Sequence, residues 1–208
     1  MTQRPPLDEG HRWFARFYAA QAKVSERGKM VQVRRNLLAG LAGDVIEIGA
    51  GTGANFEHYP PEARVIACEP DPYMLEPAEA HLVEIGARNI DVRREPAEHL
   101  PFDDATFDAA VSTLVLCTVG DPRQSLAELR RVLRPGGELR FMEHVRGSGV
   151  LGRLQDLLQP AWGWCAAGCH LNRDTESRIL EAGFEVTSIK HGRLAPPMPM
   201  IRGVAVRP

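Results

Sequence analysis

The chain is 208 residues long, with 25 basic and 27 acidic side chains, a formal net charge of -2 and 44% hydrophobic residues. That length suits one domain able to bury its own core, and the balanced charge gives no basic footprint, so nucleic acid is not an expected partner. The 4 cysteines form no secreted framework, the first residues lack the apolar core of a signal peptide, and the longest apolar run, residues 109–119, falls short of the roughly 20 residues of a membrane span; a cytoplasmic protein with no membrane anchor is expected.

Residues 11–42 read as helical. Trp13, Phe14, Phe17 and Tyr18 recur at helical spacing, and Val31, Leu37, Leu38 and Leu41 continue an apolar face beside Arg34 and Arg35, up to a stop at Gly43. The aromatics either pin this segment to a core or close over a pocket, where Phe14 and Tyr18 are the ones expected to reach. After Gly43 the period changes. Short β-branched runs at residues 45–48, 64–68, 90–92, 107–111 and 138–142 read as strands, with helical patterns at 73–85 and 122–133 between them. A helix at 173–182 stops at Gly183, and strands at 184–189 and 201–206 follow with no helix between them, so they are expected to be antiparallel neighbours. Residues 147–175 read as an insertion, in which a loop around Cys165, Cys169 and His170 packs Trp162, Trp164 and Cys165 over a substrate pocket, and Pro196, Pro197 and Pro199 as a connecting loop. The alternation predicts a single α/β domain of three layers with a seven-stranded, mostly parallel sheet and helices on both faces. Within it, residues 1–42 form a lid, 44–146 a ligand-binding core, 147–175 a substrate-side insertion and 176–208 the closing helix and strands.

The densest signal lies at residues 44–55, D-V-I-E-I-G-A-G-T-G-A-N. A strand runs into Gly49, Gly51 and Gly53, whose missing side chains permit tight turns and close approach of a ligand to the backbone. Glu69 stands at the end of the second strand, 20 residues after Gly49, where a carboxylate can accept hydrogen bonds from ribose hydroxyls. The pair indicates an adenosine ligand, and the pattern alone fits NAD as well as S-adenosylmethionine. Glu47, two residues before Gly49, favours the second: a carboxylate beside the loop repels a pyrophosphate but not a sulfonium ligand with an ammonium group.

Further on stand L-P-F at Leu100–Phe102, F-D at Phe107–Asp108 and R-P-G-G at Arg134–Gly137. Together with Glu47, the glycines and Glu69, these resemble class I S-adenosylmethionine-dependent methyltransferases. G-T-G-A-N-F-E-H-Y-P-P from Gly51, T-L-V-L-C-T-V from Thr113, R-V-L-R-P-G-G-E-L-R-F-M-E-H-V from Arg131, P-A-W from Pro160 and G-C-H-L-N-R-D-T from Gly168 resemble, more narrowly, a methyltransferase-like family that includes alkyl-thiol S-methyltransferases. The resemblance implies the Rossmann-like fold of that class, S-adenosylmethionine as cofactor and a small-molecule methyl acceptor, with a thiol the first choice and an oxygen, nitrogen or carbon acceptor the alternative. It implies that Gly49, Ala50, Gly51 and Gly53, with Asn55, face the methionine part and that Glu47 helps to hold its amino end. Glu69 and Pro70 would meet the ribose, Pro96 and Ala97 the adenine, and Thr113 and Leu114 the methyl donor. Two departures stand out. Membrane-bound members carry an apolar N-terminal anchor that this chain lacks, and Pro96 replaces the aspartate that many of these enzymes place before the alanine of the adenine loop, leaving the Ala97 N–H to serve.

Methyl transfer is an in-line displacement for which the cofactor supplies the leaving group. A base is needed only where the nucleophile arrives protonated, and His144, next to Glu143 just past the fifth strand, is the candidate; packing at a strand end is the plainer role. Cys117, His144, Trp162, Phe14 and Tyr18 make up the expected substrate pocket. Cys165-x-x-x-Cys169-His170 lacks the second ligand pair of a structural zinc site, so no metal is expected. An NAD-dependent oxidoreductase, a non-catalytic cofactor-binding module, and an RNA or protein methyltransferase remain as alternatives. The first lacks an evident Tyr-Lys or His pair, and the third lacks a basic groove and an asparagine-proline-proline motif.

Overall fold

Alternating helical and β-branched patterns become alternating elements in the computed structural model, which describes residues 28–166, 168–195 and 198–208. Helix α1 (Lys29–Leu38) leads to β1 (Gly43–Ile48), a 3-10 turn (Phe56–His58), β2 (Ala63–Cys68), α2 (Pro72–Ile85), β3 (Ile90–Arg93) and β4 (Phe107–Thr113). Then come α3 (Pro122–Val132), β5 (Leu133–His144), α4 (Gly149–Cys165), α5 (Thr175–Glu181), β6 (Glu185–Ala195) and β7 (Met198–Val206). The seven strands lie in the order β3-β2-β1-β4-β5-β7-β6. All neighbours are parallel except β7, which runs antiparallel to both β5 and β6. The chain leaves β1 toward β2 and later returns to its other side as β4. This reversal opens a crevice at the carboxyl ends, where open α/β sheets bind ligands.

Local chemistry explains the elements. Asp71, Asp121 and Asp174 cap α2, α3 and α5 with their side chains, and Pro72 and Pro122 occupy first-turn positions that need no N–H. β1 is covered on both faces, as a central parallel strand must be. Val45 packs with Leu38, Leu41 and Ala78, while Ile46 and Ile48 pack with Leu126, Leu129 and Ile179. Below the sheet's amino ends, Asp108 accepts from the Asp44 N–H and from Arg134, so the R-P-G-G turn is tied to β4 and β1.

Three expectations need correction. The helix does not run through residues 11–42: Gly28 has φ +63°, α1 ends at Leu38, and the stop comes at Ala39 and Gly40 rather than Gly43, which already belongs to β1. Trp13, Phe14, Phe17 and Tyr18 lie outside the described residues. The segment carrying Trp162, Trp164 and Cys165 is not a loop, because α4 runs through it to Cys165. Its apolar positions Val150, Leu154, Leu157 and Leu158 face solvent, and Gly152, Pro160 and Gly163 interrupt it, so neither burial nor propensity marks it as a helix. Pro199 sits in β7 rather than in a loop, opposite Arg193 where the β6–β7 register shifts, and its carbonyl accepts from the Val145 N–H. Prolines are tolerated at such irregular positions because no ladder N–H is missed there. Among the described residues no helix is long and apolar enough to cross a membrane.

The antiparallel end of the sheet depends on Gly203. A Cβ there would lie 2.1 Å from the Ser188 carbonyl oxygen and 2.9 Å from Phe141 Cζ. Gly203→Ala is expected to destabilise the protein by about 1–3 kcal/mol through overpacking against backbone that cannot yield cheaply, read as a lower urea midpoint at unchanged slope.

Candidate active site

Gly49, Gly51 and Gly53 carry the chain around the end of β1 with φ of 57°, 59° and 84°. At Gly49 a Cβ would meet Val115 at 2.5 Å, so the loop and the segment after β4 are packed too closely for any other residue. Glu69, at the end of β2, closes the turn. Its carboxylate accepts from the Gly51 N–H at 2.8 Å and the Asp71 N–H at 2.9 Å. Burial pushes its carboxyl up to about 7, against the opposing pull of those two N–H groups. Each oxygen keeps a second lone pair, so the carboxylate can still accept from a vicinal diol. Pro70, partly buried beside it, offers its carbonyl to Arg94.

Glu47 lies beneath the loop, 1% exposed. It accepts from Asn55 Nδ2 at 2.7 Å and from the Tyr59 hydroxyl at 2.9 Å. Arg34, 2% exposed, donates to Asn55 Oδ1 at 2.8 Å and to Thr113 Oγ1 at 3.0 Å, and Asn55 also donates to Thr113. Five polar side chains from α1, β1, the turn and β4 thus form one buried network. Burial raises the Glu47 carboxyl, while Asn55, Tyr59 and the Arg34 charge draw it down. Arg34 and Tyr59 were not foreseen as site residues: Arg34 looks like one polar position on a helix, and only its fixed placement opposite Asn55 marks it.

The segment after β4 is organised by Glu143. Fully buried on β5, it accepts from the Ser112 hydroxyl at 2.7 Å and from the N–H groups of Val115 and Cys117 at 3.1 and 3.2 Å. Between them Leu114 has φ 63°, a strained conformation for a bulky residue of the kind that gathers at functional sites. Ala97 is buried in the main core, and Pro96 stands beside it in the turn that Glu98 ties to the Gly120 and Asp121 N–H groups. Two open hollows of about 430 and 610 Å3 lie away from this crevice, one beside Arg123, Arg130 and Arg178, the other at the amino ends beside Asp44 and Arg134.

His144 is the last residue of β5, not a residue past it, and is 7% exposed. Its Nδ1 lies 3.9 Å from both Cys117 Sγ and Cys169 Sγ, which are themselves 3.9 Å apart. Its Nε2 is buried and has no hydrogen-bond partner among the described residues. The two thiols titrate as a pair: contact with Cys117 first, then His144 and Trp162, holds Cys169 well below an ordinary thiol, while Cys117 is pushed up. Of the expected substrate-pocket residues, Cys117, His144 and Trp162 therefore converge with Cys169, and Phe14 and Tyr18 lie outside the described residues. The Cys169 thiol faces Cys117, 52 residues away in sequence.

Arg34→Ala would leave the buried Glu47 carboxylate without its positive neighbour. Removing one member of a buried ionic network costs about 3–5 kcal/mol, and chemical denaturation is expected to show a loss of that size; a loss below about 1 kcal/mol would mean that the network does not hold α1 to the sheet.

The methyltransferase domain family matches residues 46–141. Over 187 residues the chain is 39% identical to the thiol S-methyltransferase TMT1B of Homo sapiens, covering 82% of this chain and 74% of that protein. Over 204 residues it is 32% identical to the thiol S-methyltransferase TMT1A of Homo sapiens, covering 86% and 78%. A SAM-dependent methyltransferase of known structure from Methanosarcina mazei shares the fold with a TM-score of 0.67 at 17% identity, covering 87% of this chain and 98% of that one. The oxidoreductase and binding-module alternatives are thereby set aside, and the cofactor is S-adenosylmethionine. By its motifs, its sheet order and these relatives, the chain belongs to the class I S-adenosylmethionine-dependent methyltransferases, in the family of the thiol S-methyltransferases TMT1A and TMT1B.

Proposed function

We propose that this methyltransferase transfers the methyl group of S-adenosylmethionine to the sulfur of a small lipophilic thiol. The observation that carries the acceptor class is the 39% identity to TMT1B, which spans most of both chains. In this reading the cofactor lies across the carboxyl ends of β1, β2 and β4. The loop at Gly49, Ala50, Gly51 and Gly53 faces its methionine part, and the Glu47–Asn55 network holds the amino end. Glu69 and Pro70 take the ribose, Pro96 and Ala97 border the adenine, and Thr113 and Leu114 stand by the methyl donor. Three free cysteines among the described residues, two of them adjacent and unjoined, support a reducing compartment such as the cytoplasm.

A thiol must give up its proton before its sulfur can displace S-adenosylhomocysteine from the methyl carbon. In this reading His144 takes it: its buried Nε2 has no partner among the described residues, and the residue ends β5 beside the β4 end that holds Thr113. Cys117 and Trp162 border the same space. His144→Ala is therefore expected to lower thiol turnover by about 10- to 1,000-fold while S-adenosylhomocysteine affinity changes less than about twofold; wild-type turnover would remove His144 from the chemistry.

Glu69 makes cofactor binding pH-dependent. Ribose hydroxyls donate to the ionised carboxylate, and in the cofactor-free protein that carboxyl titrates near 7. Binding draws its proton off, so affinity rises with pH through that value. The ionised fraction grows about tenfold from pH 6 to pH 8, and calorimetry should find S-adenosylhomocysteine binding about tenfold tighter at the higher pH. Glu69→Gln should flatten that slope and weaken binding at pH 8 by more than about tenfold, the value of a charged hydrogen bond.

A further inference from the structure

We propose that Cys117, His144 and Cys169 form a binding site for one thiophilic metal ion, Zn(II) in the simplest case, with a fourth position open to the acceptor thiol. The second half of this inference rests on the thiol reading above; the first does not. The three donor atoms form a nearly equilateral triangle with edges of 3.9 Å. The centre of the triangle lies about 2.3 Å from each (3.9 Å divided by √3), close to zinc–thiolate bonds of about 2.3 Å but in the plane of the donors; closing the edges by about 0.2–0.3 Å would lift the ion out of that plane into a tetrahedral setting.

The donors come from three separate parts of the fold, and each is fixed before any ion arrives. The Cys117 N–H is held by Glu143, and its carbonyl accepts from the His170 N–H at 2.7 Å. The Cys169 carbonyl accepts from Gln159 Nε2 at 3.0 Å, and its N–H donates to the Ala166 carbonyl. His144 is locked by the β5–β7 ladder opposite Met200. These bonds fix the backbone that carries each donor. Two thiolates and a neutral imidazole cancel the charge of a divalent ion, so the loaded site is neutral in its buried setting. Sulfur and imidazole donors select zinc or copper(I) over magnesium or calcium.

Three protein ligands leave one tetrahedral position vacant, the pattern of catalytic rather than structural zinc. A thiol entering it binds as thiolate and releases its proton to solvent. The sulfur then forms its bond to the cofactor's methyl carbon as the carbon–sulfonium bond breaks, giving a thioether that leaves the ion and S-adenosylhomocysteine. In the loaded protein His144 is a ligand, and its role as proton acceptor belongs to the metal-free form.

The test is a titration of the full-length protein, reduced and freed of metal by chelation, with Co(II) under anaerobic conditions. One equivalent should produce thiolate-to-cobalt charge-transfer absorption and intense tetrahedral d–d bands, both abolished by Zn(II). Cys117→Ser, Cys169→Ser and His144→Ala should each weaken binding at least 100-fold, whereas Cys68→Ser, remote from the cluster, should bind as wild type. Thermal unfolding with and without Zn(II) controls for folding, since the ion should raise the midpoint of the wild type and not of Cys169→Ser. Absence of charge-transfer absorption, or its survival in Cys169→Ser, would overturn the site. A thiol acceptor added to the cobalt protein should shift the charge-transfer band, and an unchanged band would overturn the open position. Methylation of thiols by the chelated protein at the rate of the zinc-loaded protein would also overturn the catalytic half while leaving the thiol reading intact; a cobalt site in a protein that methylates no thiol would do the reverse.

Discussion

Three carboxylates buried at the carboxyl ends of the strands hold the rest of the site in shape. Glu47 on β1, Glu69 after β2 and Glu143 on β5 each accept from two or more donors that belong to a neighbouring loop. A loop at the rim of a parallel sheet has no ladder of its own, and its N–H groups must find acceptors or face water. A carboxylate has room for several donors, and its charge strengthens each bond. One side chain per strand end can therefore fix a whole turn: Gly51 to Asp71 by Glu69, Ser112 to Cys117 by Glu143, Asn55 to Tyr59 by Glu47.

The same device costs stability. For all three groups burial is the first cause acting on the carboxyl, and it drives each upward. A carboxyl raised in the folded state binds protons more tightly than in the unfolded chain, so its contribution is most favourable below the unfolded value and falls as pH rises through the folded one. For Glu69 that window runs from 4.5 to about 7. Arg34 offsets the burden at Glu47 with a positive charge carried through Asn55 and Thr113. Glu69 has only N–H groups and two like-charged neighbours, Asp71 and Glu47. A ligand that donates hydroxyls to Glu69 relieves what the protein alone leaves unsolvated, and binding energy appears where folding energy was given up.

Much of the frame was legible because it is written in local patterns. Val45, Ile46 and Ile48 ending in glycines announced β1, and the helical patterns at residues 73–85 and 122–133 placed two helices within a residue of their observed starts at Pro72 and Pro122. The loop residues Gly49 to Gly53, Asn55, Glu69 and Thr113 all lie along the crevice. What stayed hidden was whatever depends on distance. Arg34 is one arginine of two on a helix until β4 brings Thr113 beneath it. The Cys169 thiol meets Cys117 and His144, which no local period relates to it. Helix α4 escaped notice because its apolar positions face out and its glycines and proline argue against it. Pro199 reads as loop until the β6–β7 register shift shows the irregularity that admits it.

Adjacent residues at the end of β5 divide the work of the site. Glu143 and His144 are consecutive, and the period of two in a strand sends their side chains to opposite faces. One reaches the loop after β4 and holds Leu114 to Cys117; the other reaches the two thiols. That division depends on register. A slip of one residue in the β5 ladder would exchange the two faces, placing a carboxylate against the cysteines and an imidazole under N–H groups that it could not accept from twice over. The register is set from both sides: β4 pairs Thr113 with Met142, and β7 pairs Ile201 with Glu143 and Met200 with His144. Gly203, where any side chain would strike β6, keeps β7 close enough to do this. The antiparallel strand is therefore part of the construction of the candidate site, since it decides which of two neighbouring side chains holds the loop and which meets the sulfur atoms.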